Sequence, residues 1–124
     1  MPNLNAAVGF LQLKYLNKIL IEKRKLYKEY KKQFSKFDFI KIMDQPKFSK
    51  SNFWLQTLIL DKEIQSERDD IIEICNKEKI MVRPAWELIH SLKTYENCYH
   101  APLPVAESLE KRIINLPSSP GIII

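Results

Sequence analysis

NLNAAVGFLQLKYLNKILIEKRKLYKEYKKQF, residues 3–34, reads as one long helix. Pro2 and Asn3 suit a helix start, and Leu4, Val8, Leu11, Tyr15, Ile19, Leu26, Tyr30 and Phe34 return at spacings of three, four or seven residues. This spacing lays an apolar stripe along one face, with lysines opposite. The first half differs from the second. Ala6, Ala7, Val8, Gly9, Phe10, Leu11 and Leu13 leave almost no polar face, and a helix that is apolar all round is buried all round. Gly9 costs about 1 kcal/mol against alanine, a cost that makes sense where another backbone packs closely. The first half is therefore expected to need a partner surface, and the lysine-rich half to face water.

Past this helix the chain changes period. Asp38–Met43 predicts a short strand, and Asp44–Ser51 a polar loop containing Pro46. Asn52–Leu60, NFWLQTLIL, is rich in aromatic, β-branched and aliphatic residues and predicts a strand. After a turn at Asp61–Gln65, Ser66 and Asp69 form a capping-box-like helix start, with Ile71, Ile72 and Cys75 as the inner face. Ile80–Val82 predicts another strand, ended by Arg83-Pro84, because proline lacks a backbone donor and disfavours a helical residue before it. A helical turn is expected within Ala85–Leu92, a loop at Lys93–Ala101, and a helix from Pro104 to about Arg112. The end, INLPSSPGIII, reads as a coil that returns to apolar cover. The fold class is therefore α+β: a long amino-terminal helix (1–34) and further helices packed on a small, mostly antiparallel sheet (35–124).

A chain of 124 residues fits one domain, and 45% hydrophobic with 28% charged residues describes a globular protein. No apolar run approaches the roughly 18–20 residues that cross a bilayer, and the start lacks a basic region followed by an apolar core, so a cytoplasmic protein is expected. Cys75 and Cys98 make neither a disulfide framework nor a metal site and fit thiols in a reducing compartment. The net charge of +5 is concentrated in residues 14–36, where nine basic residues face only Glu22 and Glu29. Such a basic helix can touch nucleic acid, but it has no glycine-flanked aromatic platform and no arginine cluster for reading bases. A solvated face is the plainer reading.

Chemistry concentrates in KIMVRPAWELIH, residues 79–90, where a strand gives way to a loop carrying Arg83, Trp86, Glu87 and His90. His90, Cys98 and His100 lack the spacing that would aim them at one metal ion, and nothing activates Cys98 as a nucleophile beside a histidine. Only Gly9 and Gly121 occur, so there is no glycine-rich phosphate loop. A self-contained catalytic constellation is missing.

Four stretches in register, MPNLNAAVGFLQL (1–13), NFWLQTLIL (52–60), VRPAWELIH (82–90) and LPVAESLEKRIINLPSSP (103–120), resemble the carboxy-terminal part of the DegT/DnrJ/StrS family of pyridoxal-phosphate-dependent nucleotide-sugar aminotransferases. The resemblance spans nearly the whole chain. It implies the small domain of a fold-type I aminotransferase, from an enzyme that aminates a keto-sugar nucleotide for surface polysaccharide or glycan biosynthesis. The family's Schiff-base lysine, the aspartate on the pyridine nitrogen and most of the phosphate cradle belong to a large amino-terminal domain, and no stretch of these 124 residues matches it. The chain alone is therefore expected to bind no cofactor and to be inactive.

The resemblance assigns Arg83, Trp86, His90 and Tyr95 to the lining of the sugar-nucleotide site, and Asn3 and Asn5 to the cofactor-side interface between domains. Plainer roles stand beside these: a strand-end ion pair and core filling for the first group, helix capping for the asparagines. Thr94-Tyr95 departs from a frequent methionine-tyrosine, and Glu87 stands where relatives often carry a base. Ser118, Ser119 and Pro120 match a terminal segment read as structural. Two further expectations follow: self-association through helix 3–34, as in a homodimer, and, as the alternative function, a regulatory module binding nucleic acid through residues 14–36.

Overall fold

The computed structural model describes residues 1–122; the last two residues of the expected terminal coil lie outside them. Helix α1 spans Asn3–Phe34, as its apolar spacing predicts. Strand β1 (Ile40–Ile42) follows, then β2 (Gln56–Leu60), helix α2 (Arg68–Lys77), strand β3 (Arg83–Pro84), helix α3 (Pro104–Glu110) and strand β4 (Ile113–Leu116). Short 3₁₀ helices occupy Lys62–Glu67, Ile89–Ser91 and Lys93–Tyr95. The four strands form one sheet in the order β1-β2-β4-β3, and every neighbouring pair is antiparallel.

Alternation in β2 builds the core. Gln56, Leu58 and Leu60 are buried on one face, where Ile42 of β1 and Ile114 of β4 join them. Leu26, Tyr27 and Tyr30 of α1 close over this surface, with Ile71, Ile72 and Cys75 of α2 packed at its margin. The helix thus meets the sheet through its second half, the half expected to face water. Most of its lysines are exposed, but the stripe of aromatic and aliphatic residues between them is what packs. Tyr27 stacks on Phe53 with centroids 4.4 Å apart, an offset contact that adds to the apolar area removed from water.

Several boundaries differ from the sequence reading, each for a local reason. The second strand starts at Gln56 rather than Asn52. The Ser51 hydroxyl accepts the Phe53 N–H and the Asn52 side chain accepts the Trp54 N–H, and Phe53 sits at φ 50°, so the chain turns before it extends. Ser66 does not cap α2. A helical segment already begins after Asp61, whose backbone is extended, and runs through Lys62–Glu67 into α2 with no side-chain cap. Ile80–Val82 is not the strand. The Asn76 side chain donates to the Val82 carbonyl and accepts its N–H, so ladder pairing falls instead to Arg83–Pro84 against Ile114 and Asn115. Proline is tolerated there because β3 is an edge strand.

The largest correction concerns the expected terminal coil. Its first part belongs to β4, an inner strand bonded on both sides. Arg112 fastens its entry, donating from Nε to the Ser108 carbonyl and from Nη1 to that of Leu60. Beyond its own turns of helix, Gly9 has no atom of the described residues within 4 Å of where a Cβ would stand, so the close backbone expected there is not supplied by these residues.

Candidate functional site

Arg83 projects from the edge strand and is exposed. Three residues on, Trp86 is 71% exposed and lies 6.0 Å from the ring of Trp54, itself 64% exposed. Two adjacent indoles left in water make an aromatic surface suited to covering a flat or apolar ring face. Trp54 lies in the stretch expected to be a strand; the turn at Asn52 and Phe53 is what leaves it outside the sheet.

The backbone beneath Trp54 is tied down by Lys23. Its ammonium donates to the Trp54 carbonyl and to the carbonyl and hydroxyl of Ser118. Burial among these groups pushes the Lys23 ammonium below the ordinary lysine value. The Ser118 hydroxyl in turn donates to the Trp54 carbonyl. Helix α1, the approach to β2 and the chain after β4 are thereby fastened at one point, which gives Ser118 the structural role expected of it. Nearby, Gln56 donates to the Lys23 carbonyl from inside the core.

His90 and Tyr95 come together in a second place. His90 sits in the Ile89–Ser91 turn, half-buried, with its ring stacked on that of His100 at 4.4 Å and its Nε2 3.6 Å from a carboxylate oxygen of Glu107 in α3. Tyr95 and Cys98 line a largely apolar cavity of about 400 Å³ beside this pair. The stacked rings lie within 26° of parallel, and near-parallel planes do not let two in-plane nitrogen lone pairs converge on one nearby metal ion. His100 is visible in the sequence beside His90 as a histidine whose spacing does not suit a shared metal ion, whereas Glu107 carries no local signal for this contact.

Asn3 and Asn5 lie in the exposed first turns of α1, and neither side chain caps the helix; Pro2 occupies the cap position. Twenty residues separate Asn3 from Lys23, about 30 Å of helix, so the structure does not bring the asparagines to the Arg83–Trp86 edge. Between them runs the bare apolar face: Leu4 at 74%, Phe10 at 65% and Leu13 at 67% exposure. Among the described residues no helix is long and apolar enough to cross a membrane.

A long helix lying across a four-stranded antiparallel sheet, with shorter helices beside it, is the architecture of the small domain of a fold-type I aminotransferase. A putative sugar aminotransferase from Streptococcus pneumoniae, in its PLP form, superposes over 99% of this chain and 32% of its own, with a TM-score of 0.88 at 20% identity. Residues 1–123 match the DegT/DnrJ/EryC1/StrS aminotransferase family, and the chain belongs to it. It is 31% identical over 123 residues to a GDP-perosamine synthase of Vibrio cholerae. It is also 30% identical over 122 residues to EpsN of Bacillus subtilis, described as a putative pyridoxal phosphate-dependent aminotransferase. These alignments cover 98% and 95% of the chain but 33% and 31% of the relatives, so the chain spans about a third of their length.

The family is pyridoxal-phosphate-dependent. The residues gathered here do not fit that cofactor. The cavity beside His90 is lined by no lysine to join the aldehyde and by no carboxylate to pair with a pyridine nitrogen.

Proposed function

We propose that this chain is the small domain of a cytoplasmic aminotransferase that aminates a keto-sugar nucleotide for surface polysaccharide or glycan biosynthesis, and that it is inactive by itself. The observation that carries this reading is the exposed edge formed by Arg83, Trp86 and Trp54 on a chain matching the family over residues 1–123. A guanidinium suits a diphosphate, and an open indole suits a sugar or base face. The name of the Vibrio cholerae relative, GDP-perosamine synthase, is consistent with a nucleotide-linked sugar. In this reading the edge holds the substrate while the cofactor and its lysine, on the large domain, supply the chemistry. His90 and Tyr95 shape the adjoining wall, and Asn3 and Asn5 lie toward the domain interface.

The bare amino-terminal half of α1 supports a second element of the proposal. Its exposed strip, of order several hundred Å², exceeds what a monomer ordinarily leaves open. The 124-residue chain, without other cover, self-associates through this helix.

Titration with a GDP-linked hexose tests the substrate reading. Tryptophan fluorescence is expected to change saturably, and the change is expected to be lost in Trp86→Leu with the fold intact by circular dichroism. A signal independent of Trp86, or none at millimolar ligand, removes the reading.

A further inference from the structure

A separate concavity, of about 610 Å³, opens between the middle of α1 and the loop ahead of β2. Arg24 and Lys50 are its charged lining residues, Leu20 and Ile21 form its apolar wall, and no carboxylate lines it. It shares no residue with the edge formed by Arg83, Trp86 and Trp54.

Arg24 differs from the other half-buried arginines. Arg68 spends its guanidinium on Asp69 and the Glu110 carbonyl, and Arg112 on the carbonyls of Ser108 and Leu60. Among the described residues neither Arg24 nor Lys50 enters a salt bridge, and the Arg24 guanidinium makes no hydrogen bond. A partly desolvated charge without a partner is costly, and an arginine cannot shed its charge as a buried lysine can. The loop wall points to the same missing group. The Ser51 hydroxyl accepts the Phe53 N–H and the Asn52 side-chain oxygen accepts the Trp54 N–H. With those acceptors engaged, the Asn52 amide hydrogens and the Ser51 hydroxyl hydrogen are left to donate.

A wall rich in donors and poor in acceptors suits an anion, and the remaining features select its kind. The planar guanidinium fork matches a carboxylate. A phosphate cradle draws on free N–H groups at a helix amino-terminus, whereas this wall is the middle of α1, whose N–H groups are spent within the helix. No aromatic ring lines the concavity to stack a base. Leu20 and Ile21 are suited to the methylene stem of an acidic side chain.

We propose that this concavity is a docking site for an acidic polypeptide segment, with Arg24 as the fork that takes a glutamate or aspartate carboxylate. Lys50 is the second charge, and Ser51 and Asn52 are neutral donors. The site does not rest on the nucleotide-sugar reading.

The direct test is an NMR titration of the 124-residue chain with an end-capped tetraglutamate peptide at low salt. Saturable shifts are expected at the amides of residues 20–24 and 50–52. Affinity is expected to fall about tenfold in Arg24→Gln, as for loss of one charge-assisted contact, and several-fold in Arg24→Lys, which keeps the charge and loses the fork. Arg24→Gln breaks no bond of the fold and is expected to melt no lower than the parent, which separates lost binding from lost structure. Undiminished binding in Arg24→Gln, shifts spread evenly over residues 14–36, or no saturable shift overturns the proposal. Propionate supplies the carboxylate without the peptide and is expected to shift the same amides at higher concentration; propionate binding with no response to tetraglutamate removes the polypeptide partner. A DNA duplex that binds more tightly than tetraglutamate, and loses as much in Arg24→Gln, would assign the surface to nucleic acid and overturn the proposal.

Discussion

The two halves of α1 belong to one unbroken helix and behave as two different surfaces. Residues 22–34 bury Leu26, Tyr27 and Tyr30 against the sheet, although lysines crowd that half. Residues 3–16 are far more apolar, and Leu4, Phe10, Leu11 and Leu13 nevertheless stand open. Hydrophobic content in a helix measures how much surface favours being covered. Which surface covers it depends on the rest of the fold, and in this chain the sheet reaches only the second half.

Substitution on each half tests the contrast. Leu26→Ala is expected to cost about 3 kcal/mol of unfolding free energy, because it removes a side chain that is 4% exposed and leaves a cavity. Leu11→Ala on the bare half is expected to stay within about 0.5 kcal/mol at concentrations where the chain is monomeric. Chemical denaturation of the two variants gives the comparison, and similar costs for both would mean that the first half is packed in solution.

A smaller effect marks the packed half alone. Lys31 donates to Asp44 at 2.7 Å, and the Gln45 N–H donates to the same carboxylate. With Lys31 as the leading cause, Asp44 is pulled from the usual 3.8 to about 2. Because the folded value lies below the unfolded one, the stabilisation is present above pH 4 and is lost as pH falls through about 2. The carboxyl resonance of Asp44 is expected to titrate near 2 and to move up toward 3.8 in Lys31→Ala. An unchanged midpoint in that variant would detach the pair from the helix's anchoring.

What was legible in the sequence followed from long repetition. Eight apolar positions over thirty-two residues define both ends of α1, and the β-rich run before Asp61 announces a central strand. Short elements were hidden by their neighbours. Ile113–Leu116 offers four residues ahead of a Pro-Ser-Ser-Pro segment, so its place between β2 and β3 comes from pairing at long range. The third strand moved because a single side chain, Asn76, claims the backbone of Val82.

The site divides in the same way. Arg83, Trp86 and His90 are visible as a cluster of residue types and Tyr95 joins them only through the resemblance, but the structure sorts the four into two places. Arg83 and Trp86 lie along the edge with Trp54, while His90 and Tyr95 line the cavity with His100. Trp54, Glu107 and Lys23 enter through contacts across the fold that no local spacing encodes. Lys23 in particular was one of nine basic residues on a face assigned to solvent, and only its position opposite Ser118 distinguishes it.

Sedimentation of the 124-residue chain over a hundredfold range of concentration tests the central contrast most directly. Mass that rises with concentration, and returns to that of a 14.7 kDa monomer when Phe10 and Leu13 are both replaced by serine, is the expected result. A parent chain that remains monomeric throughout would contradict the account, because the bare half of α1 would then need no cover.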